Sequence, residues 1–417
     1  MAKTKKTDSS NEDSKKKKGT ATSDDFSSEL IKELNREAGS IIAFNLGTDD
    51  APTNIKRWIS TGSRQLDSIL SNKVIGGLPE GRIVEIQGPT SSGKSHLAYE
   101  VAKYTQKMGG IVVYIDTENA TNLDNLRMIG VDVNKHFVFI QTACTEDIFA
   151  AAESAIHKAR ALTKDVPVTI IWDSVAASSP RAELEGDYDQ NTIGLQARVL
   201  GKGIRKIGSL IGNQNILFLL INQQRQNIGV RYGDSTTVPG GMAIPYASST
   251  RIRLMSAKPI EKNGEIIGVQ VEAKTIKNKV ARPFRKCTFS IHFGKGIVEH
   301  EEVFDLFRSY CEKSKNGILT PDGKCVSING KAAWKNFTVT DSTSGEVIHD
   351  VKFHKSDFAD KVLNVPEYKD YMEALYEATL VMKEGVSEHS TLEGVDENSL
   401  MEMEAAAMAT IEEAEKS

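Results

Sequence analysis

GRIVEIQGPTSSGKSHLAYEVAKY, residues 81–104, reads as a buried strand over Arg82–Gln87, a loop, and a helix opening at Lys94. The loop Gly88-Pro89-Thr90-Ser91-Ser92-Gly93-Lys94-Ser95 satisfies the spacing G-x-x-x-x-G-K-[ST]. It also has the strand–loop–helix setting that phosphate binding requires. Glycines let successive backbone N–H groups turn inward around the phosphates, and the helix N-terminus adds its positive dipole end. Lys94 is placed to reach the β- and γ-phosphates, and the Ser95 hydroxyl to ligate Mg²⁺. These eight residues imply a nucleoside triphosphate site.

Downstream, apolar strands alternate with helices. Strands are expected at Ile111–Ile115, Phe137–Ile140, Val168–Trp172 and Ile216–Ile221, and helices from Thr145 (as N-cap) to Leu162 and over Gly194–Gly212. That alternation predicts an α/β fold with a mostly parallel sheet covered on both faces. From Thr250 to Phe293 the strands alternate and turn at Lys262-Asn263-Gly264, which predicts an antiparallel extension. Upstream, Phe26, Leu30, Ile31 and Leu34 have helical spacing and Ser40–Phe44 reads as a short strand. That segment is too small to build its own core and must dock on this subunit or a neighbour.

Acids and amides fall at strand C-termini, where ligands bind in open α/β sheets. Asp173 ends Thr169-Ile170-Ile171-Trp172, a Walker B pattern in which the acid holds Mg²⁺. Asp116 and Glu118 close another strand, and either can orient and deprotonate an attacking water. Asn222-Gln223 ends a further strand, where an amide can report the γ-phosphate. The glycine-rich stretch from Gln226 to Ala243, with Arg225 just before it, suits a phosphodiester backbone. Arg198, Lys202 and Arg205 form one stripe on the helix after Gly194.

The 417 residues carry 52 Lys+Arg against 56 Asp+Glu, net −4, so no global basicity points to nucleic acid. Charge is segregated instead: a lysine-rich arm over residues 1–25 and an acidic tail over residues 384–417 are expected to be disordered. No apolar run reaches the length of a membrane span, and the N-terminus lacks the apolar core of a signal peptide. Cys144, Cys287, Cys311 and Cys325 have no metal-ligand spacing, so reduced thiols in a cytoplasmic protein are expected.

Ile59-Ser60-Thr61-Gly62, the run from Gly77 to Ile86, GPTSSGKS, Tyr114-Ile115-Asp116-Thr117-Glu118, Trp172-Asp173-Ser174, Asn222-Gln223 and Lys277-Asn278-Lys279 resemble the bacterial RecA recombinase family. The resemblance spans about Phe26 to Val298, and the divergent remainder suggests a phage-encoded or otherwise diverged member of the bacterial cytoplasm. Beyond its reach, the weak pattern of residues 301–383 reads as a small C-terminal α/β module; the resemblance itself implies a RecA-type P-loop ATPase core over residues 59–300 and an oligomerisation segment over 26–58. It implies ATP and Mg²⁺ as ligands, single-stranded and homologous duplex DNA as partners, a helical homo-oligomeric filament, and loading or mediator proteins. By resemblance Glu118 is the base and Gln223 the γ-phosphate sensor. Phe293 lies near the adenine, and Lys277 and Lys279 reach ATP on a neighbouring subunit. Arg198, Arg205, Arg225, Asn227, Gly240 and Gly241 contact the DNA backbone, and Ile228-Gly229-Val230 enters between base triplets. Asn122 and Asn125 stand where the family has an adenine-contacting Asp and Tyr. A ring helicase on the same core and a non-hydrolysing scaffold are the alternatives; a phosphate-release assay with and without single-stranded DNA separates the scaffold from an ATPase.

Overall fold

The computed structural model describes residues 23–47, 53–187, 194–226, 236–255, 257–314, 317–330 and 333–382, with the side chains of 23–25, 225, 226, 236 and 237 excepted. The lysine-rich arm up to residue 22, Asn227, Ile228, Gly229, Val230 and the acidic tail lie outside the described residues. The chain divides into two compact units, residues 1–56 and 57–417.

In the first unit, helix Ser23–Ala38 presents Phe26, Leu30 and Leu34 as exposed side chains. Ser40–Phe44, expected as a strand, is not one. The Asn35 amide ties this stretch back to the helix, its oxygen accepting from the Ile42 and Ala43 N–H groups (2.8 Å each) and its nitrogen donating to the Ala43 carbonyl (2.9 Å). A side chain here takes the backbone bonds that a strand partner would otherwise take.

The second unit is built on a ten-stranded sheet. Its strands in chain order are β1 (Ile83–Gly88), β2 (Ile111–Asp116), β3 (Phe137–Gln141), β4 (Val168–Asp173), β5 (Ile216–Gln223), β6 (Thr250–Leu254), β7 (Lys258–Lys262), β8 (Glu265–Asn278), β9 (Lys286–His292) and β10 (Gly296–Ile297). The spatial order is β10-β9-β8-β6-β1-β5-β4-β2-β3, with β7 paired to β8. Strands β6, β1, β5, β4, β2 and β3 run parallel. The antiparallel extension therefore begins one strand later than the alternation at Thr250 suggested, at the β6–β8 pairing. Two residues with positive φ, Asn263 (54°) and Gly264 (84°), close the β7–β8 hairpin as the Asn-Gly pair predicts.

Because successive strand residues face opposite sides, the sheet buries two cores. Val84, Ile86, Tyr114 and Leu219 pack with helix Lys94–Lys107 on one face. Ile83, Val113, Ile115, Trp172 and Phe218 pack with helices Thr145–Leu162 and Leu195–Asn213 on the other. Each fully buried large side chain contributes about 1.5–3 kcal/mol. Thr145 is not the N-cap: Cys144 is, and the Cys144–Ser179 bridge sends the Thr145 N–H to the Ser179 carbonyl (2.9 Å). Among the described residues no helix is long and apolar enough to cross a membrane.

Beyond β10, helix Glu299–Lys313, a four-stranded antiparallel sheet and helix Lys369–Leu380 enclose a third core around Phe304, Phe307, Phe337, Phe353 and Phe358. This module is fastened to the short helix Arg64–Ser71. Glu302 accepts from the Ser63 hydroxyl (2.7 Å) and the Gln65 N–H (2.9 Å), capping that helix from outside, and Arg64 pairs with Glu299 (2.5 Å). At its other end the Leu70 carbonyl accepts from the Asn278 amide (2.9 Å).

Candidate nucleotide site and nucleic-acid interface

The register of the parallel strands brings the candidate residues together. Gly88 of β1 lies beside Gln223 of β5, and Asp173 of β4 beside Asp116 of β2, all at the carboxyl edge of the sheet. The loop from Gly88 then turns into helix Lys94–Lys107 through Gly93, whose φ of +89° suits glycine. A Cβ at Gly88 would lie 2.7 Å from both the Leu254 carbonyl oxygen and the Ser92 Oγ, so no other residue fits there. The Ser92 hydroxyl is buried and has no hydrogen-bond partner, a donor in the phosphate loop to which an anionic oxygen is the natural complement. The Lys94 ammonium donates to the Pro89 carbonyl (2.7 Å). Burial pushes its pKa down, and the nearby Asp173 and Glu118 carboxylates offset part of that shift.

A cavity of about 190 Å³ beside the loop is lined by Ser95, His96, Asp116, Glu118, Asn125 and Asp173 among others. Its carboxylates are not equivalent. Both oxygens of Asp116 are engaged by the turn that follows β2, accepting from the Glu118 N–H (2.9 Å) and the Thr121 N–H (3.0 Å). Asp173 is buried, and that burial raises its pKa, against hydrogen bonds from Tyr114 and Ser95 that lower it. The Tyr114 hydroxyl donates to Asp173 at 2.7 Å. Glu118 reaches across the cavity: its Oε1 accepts from the Gln223 amide (2.8 Å) and from the Ser174 hydroxyl. Burial also lowers the pKa of His96, keeping the imidazole neutral near pH 7.

Lys277, Lys279 and Phe293 do not line this cavity. The Lys277 ammonium donates to the Pro245 (2.7 Å) and Tyr246 (3.0 Å) carbonyls, and its partner in the sheet is Arg251, well back from the carboxyl edge. Phe293 is half-exposed, just after β9. Asn122 caps helix Leu123–Ile129, accepting from the Asn125 N–H (3.0 Å).

Helix Leu195–Asn213 buries Leu200, Ile204, Ile207 and Ile211 and exposes Arg198, Lys202 and Arg205. Gly240 (φ +95°) and Gly241 (φ +66°) lie on its flank. A Cβ on Gly240 would fall 2.7 Å from Leu200 Cδ1, and one on Gly241 3.2 Å from the Ala197 Cβ. The backbone of Arg225–Gln226 pairs antiparallel with Thr236–Thr237, pinching the loop between them at its neck. Sequence patterns missed that neck, because two-residue strands carry no periodicity. They also assigned no role to Tyr114, Ser174 and Glu85, which stand within the runs that carry the family resemblance. A tyrosine or a glutamate in an otherwise apolar strand was the available signal, since each needs a buried partner.

Among the described residues no group of three or more His, Cys, Asp or Glu could hold a metal, and Cys144, Cys287 and Cys311 are free thiols. A hydroxyl and one carboxylate, Ser95 and Asp173, suit Mg²⁺ shared with substrate phosphates better than an all-protein cage.

The RecA N-terminal domain family matches residues 27–298. The chain is 34% identical over 305 residues to "Protein RecA" of Geobacter sulfurreducens, covering 72% of this chain and 84% of the relative. It is 38% identical over 313 residues to "Protein RecA" of Chlorobaculum tepidum, covering 75% and 87%. It is 40% identical over 272 residues to that of Wolbachia sp. subsp. Brugia malayi, covering 65% and 72%. With this match laid over a phosphate loop, a Walker B aspartate and a mostly parallel sheet, the chain belongs to the RecA family and is a recombinase of DNA recombination and repair, a DNA-dependent ATPase of the P-loop class.

Proposed function

We propose that the chain polymerises on single-stranded DNA in the cytoplasm, pairs it with homologous duplex, and hydrolyses ATP with Glu118 as the base. The observation that carries the assignment is the division of labour among the carboxylates. Asp116 has both oxygens committed to backbone N–H groups, whereas Glu118 holds only side-chain partners and faces the cavity. Glu118 positions and deprotonates the water, Lys94 and the loop N–H groups hold the phosphates, and Gln223 leaves Glu118 for the γ-phosphate when that group is present. Ser95 and Asp173 would hold Mg²⁺ together with the phosphates, and the ion would supply charge neutralisation there.

Lys277 and Lys279, remote from the cavity of their own chain, serve the ATP of a neighbouring subunit, so active sites complete only in the filament. Exposed Phe26, Leu30 and Leu34 are the docking face that joins subunits, and half-exposed Phe293 is the apolar contact for the adenine. Arg198, Arg205, Arg225, Asn227, Gly240 and Gly241 follow the DNA backbone, with Ile228-Gly229-Val230 between bases. Residues 59–300 act as the core, 26–58 as the joining segment and 301–383 as a separate module, with loading proteins acting on the whole.

The test is Glu118→Gln. Nucleotide and DNA binding should persist while DNA-stimulated phosphate release falls about 10²–10⁴-fold, the range for a positioned general base. Turnover close to wild type would remove Glu118 from the chemistry.

A further inference from the structure

Glu85 is a fully buried carboxylate inside the strand that leads to the phosphate loop, and neither the loop nor the cavity uses it. Its partners come from the strands on either side. Arg251 of β6, opposite it in the register, donates from Nε (2.5 Å), and Asn222 of β5 donates from Nδ2 (3.1 Å). Arg251 also reaches Gln87 (3.3 Å). Asn222 is itself fully buried, and its hydrogen-bonding capacity is spread over three separate places. Its Nδ2 also points at the Pro239 carbonyl (3.4 Å), and its Oδ1 accepts from the Gln223 N–H (3.1 Å).

The amide of Asn222 therefore touches the backbone of Gln223 and the residue before Gly240. Gln223 is bonded to Glu118 (2.8 Å), and Gly240 packs on Leu200 of the helix that carries Arg198 and Arg205. A rotation of that single amide breaks its bonds to Gln223, Glu85 and Pro239 together. Buried polar groups of this kind keep one arrangement because every alternative leaves a donor or acceptor unpaired.

We infer that Asn222, held in place by Glu85 and Arg251, is a positioning residue that sets Gln223 and the Pro239 end of the DNA-binding loop in one register, so that DNA on the loop and the γ-phosphate at Gln223 govern each other through it. This rests on the assignment of Gln223 as sensor and of the loop to DNA. Glu85 is the anchor: its charge, paired with Arg251, fixes the asparagine rotamer against the centre of the sheet. Gln223 is thus held at both ends, its backbone by Asn222 and its side chain by Glu118.

The full-length protein carries the test, with three variants assayed for ATP hydrolysis with and without single-stranded DNA and for binding of a fluorescent ATP analogue. Asn222→Ala leaves Glu85 paired with Arg251. It should cut the ratio of DNA-stimulated to DNA-free turnover roughly 2- to 30-fold, the span seen for mutations along coupled networks. The loss should lie in kcat, with analogue affinity held within about twofold. Arg251→Lys keeps a cation beside Glu85 and should lower the ratio in the same direction, and it carries the test alone if Asn222→Ala does not fold. Gln223→Ala is the reference. If it loses stimulation while Asn222→Ala and Arg251→Lys keep the wild-type ratio, the sensor stands and the positioning role is overturned. If Gln223→Ala keeps stimulation, the sensor assignment fails and the inference falls with it. A loss of analogue affinity in step with turnover in Asn222→Ala assigns the residue a purely structural part and also overturns the inference.

Discussion

Glu302→Gln should change how stability responds to pH while sparing the fold. The Glu302 carboxyl is buried against the N-terminus of helix Arg64–Ser71, and burial pushes its pKa up to about 8 from an ordinary 4.5, despite bonds from Ser63 and Gln65 that pull it down. A carboxyl raised in the folded state favours folding while protonated. Its contribution is complete below about pH 4.5 and is lost as pH climbs to about 8. Over that window of about 3.5 units, at about 1.4 kcal/mol per unit, the ceiling on the loss is roughly 5 kcal/mol. Buried Asp67, raised to about 7 by the same cause, adds a second loss of the same sign. Glutamine keeps an oxygen for Ser63 and Gln65 and cannot ionise. Its NH₂ falls near Oε2, which has no partner, so a pH-independent cost of about 1–3 kcal/mol is expected at every pH. The informative quantity is thus the difference in Tm between variant and wild type, followed by calorimetry from about pH 5 to about pH 8.5. It should move in the variant's favour by up to about 10 °C as pH rises, at roughly 2 °C per kcal/mol. Parallel curves across that range would refute a buried, proton-holding Glu302.

Gly93→Ala should weaken ATP binding about 5- to 30-fold, because φ of +89° costs an L-residue about 1–2 kcal/mol and the new Cβ meets Ile291 Cδ1 at 2.7 Å; equilibrium binding of a fluorescent analogue reads it. Tyr114→Phe removes a donor that holds the Asp173 pKa down, so the acid limb of the ATPase pH profile should move to higher pH, and an unmoved limb would argue against that bond. A double Lys277→Ala/Lys279→Ala variant should bind nucleotide yet lose DNA-stimulated hydrolysis, and mixing it with Lys94→Ala should restore activity at junctions between intact halves. Mixtures no better than the separate proteins would argue against a shared site.

The features legible in the sequence share one property: their meaning is local. The phosphate loop, the Walker B acid and the core parallel strands each occupy a contiguous run whose residues decide their own conformation. What escaped reading depends on chain far away. Thr250–Leu254 alternates like a half-buried antiparallel strand, and only its place next to β1 makes it parallel. Thr145 has the chemistry of a cap, but a contact with Ser179 shifts the helix boundary. The C-terminal sheet was obscure because its strand Trp334–Asp341 turns Lys335 inward beside Phe337 and Val339, hiding the alternation behind a buried lysine that donates to the Gly330 carbonyl (3.1 Å). Asp116 and Glu118 could not be ranked from spacing, since only the turn bonds made by Asp116 distinguish them.

Helix Arg64–Ser71 is short and gripped at both tips. Glu302 of the C-terminal module holds its first turn, and its Leu70 carbonyl holds Asn278, the residue between Lys277 and Lys279. Eight residues make a rod of about 12 Å, and a tilt of about 10° swings its far tip by about 2 Å, more than a hydrogen bond tolerates. The rod therefore ties the C-terminal module to Asn278 by hydrogen bonds at its two ends. On the shared-site reading, the load it moves is a pair of cations working in someone else's active site. On that reading, a displacement of the module would alter turnover without any contact with the nucleotide.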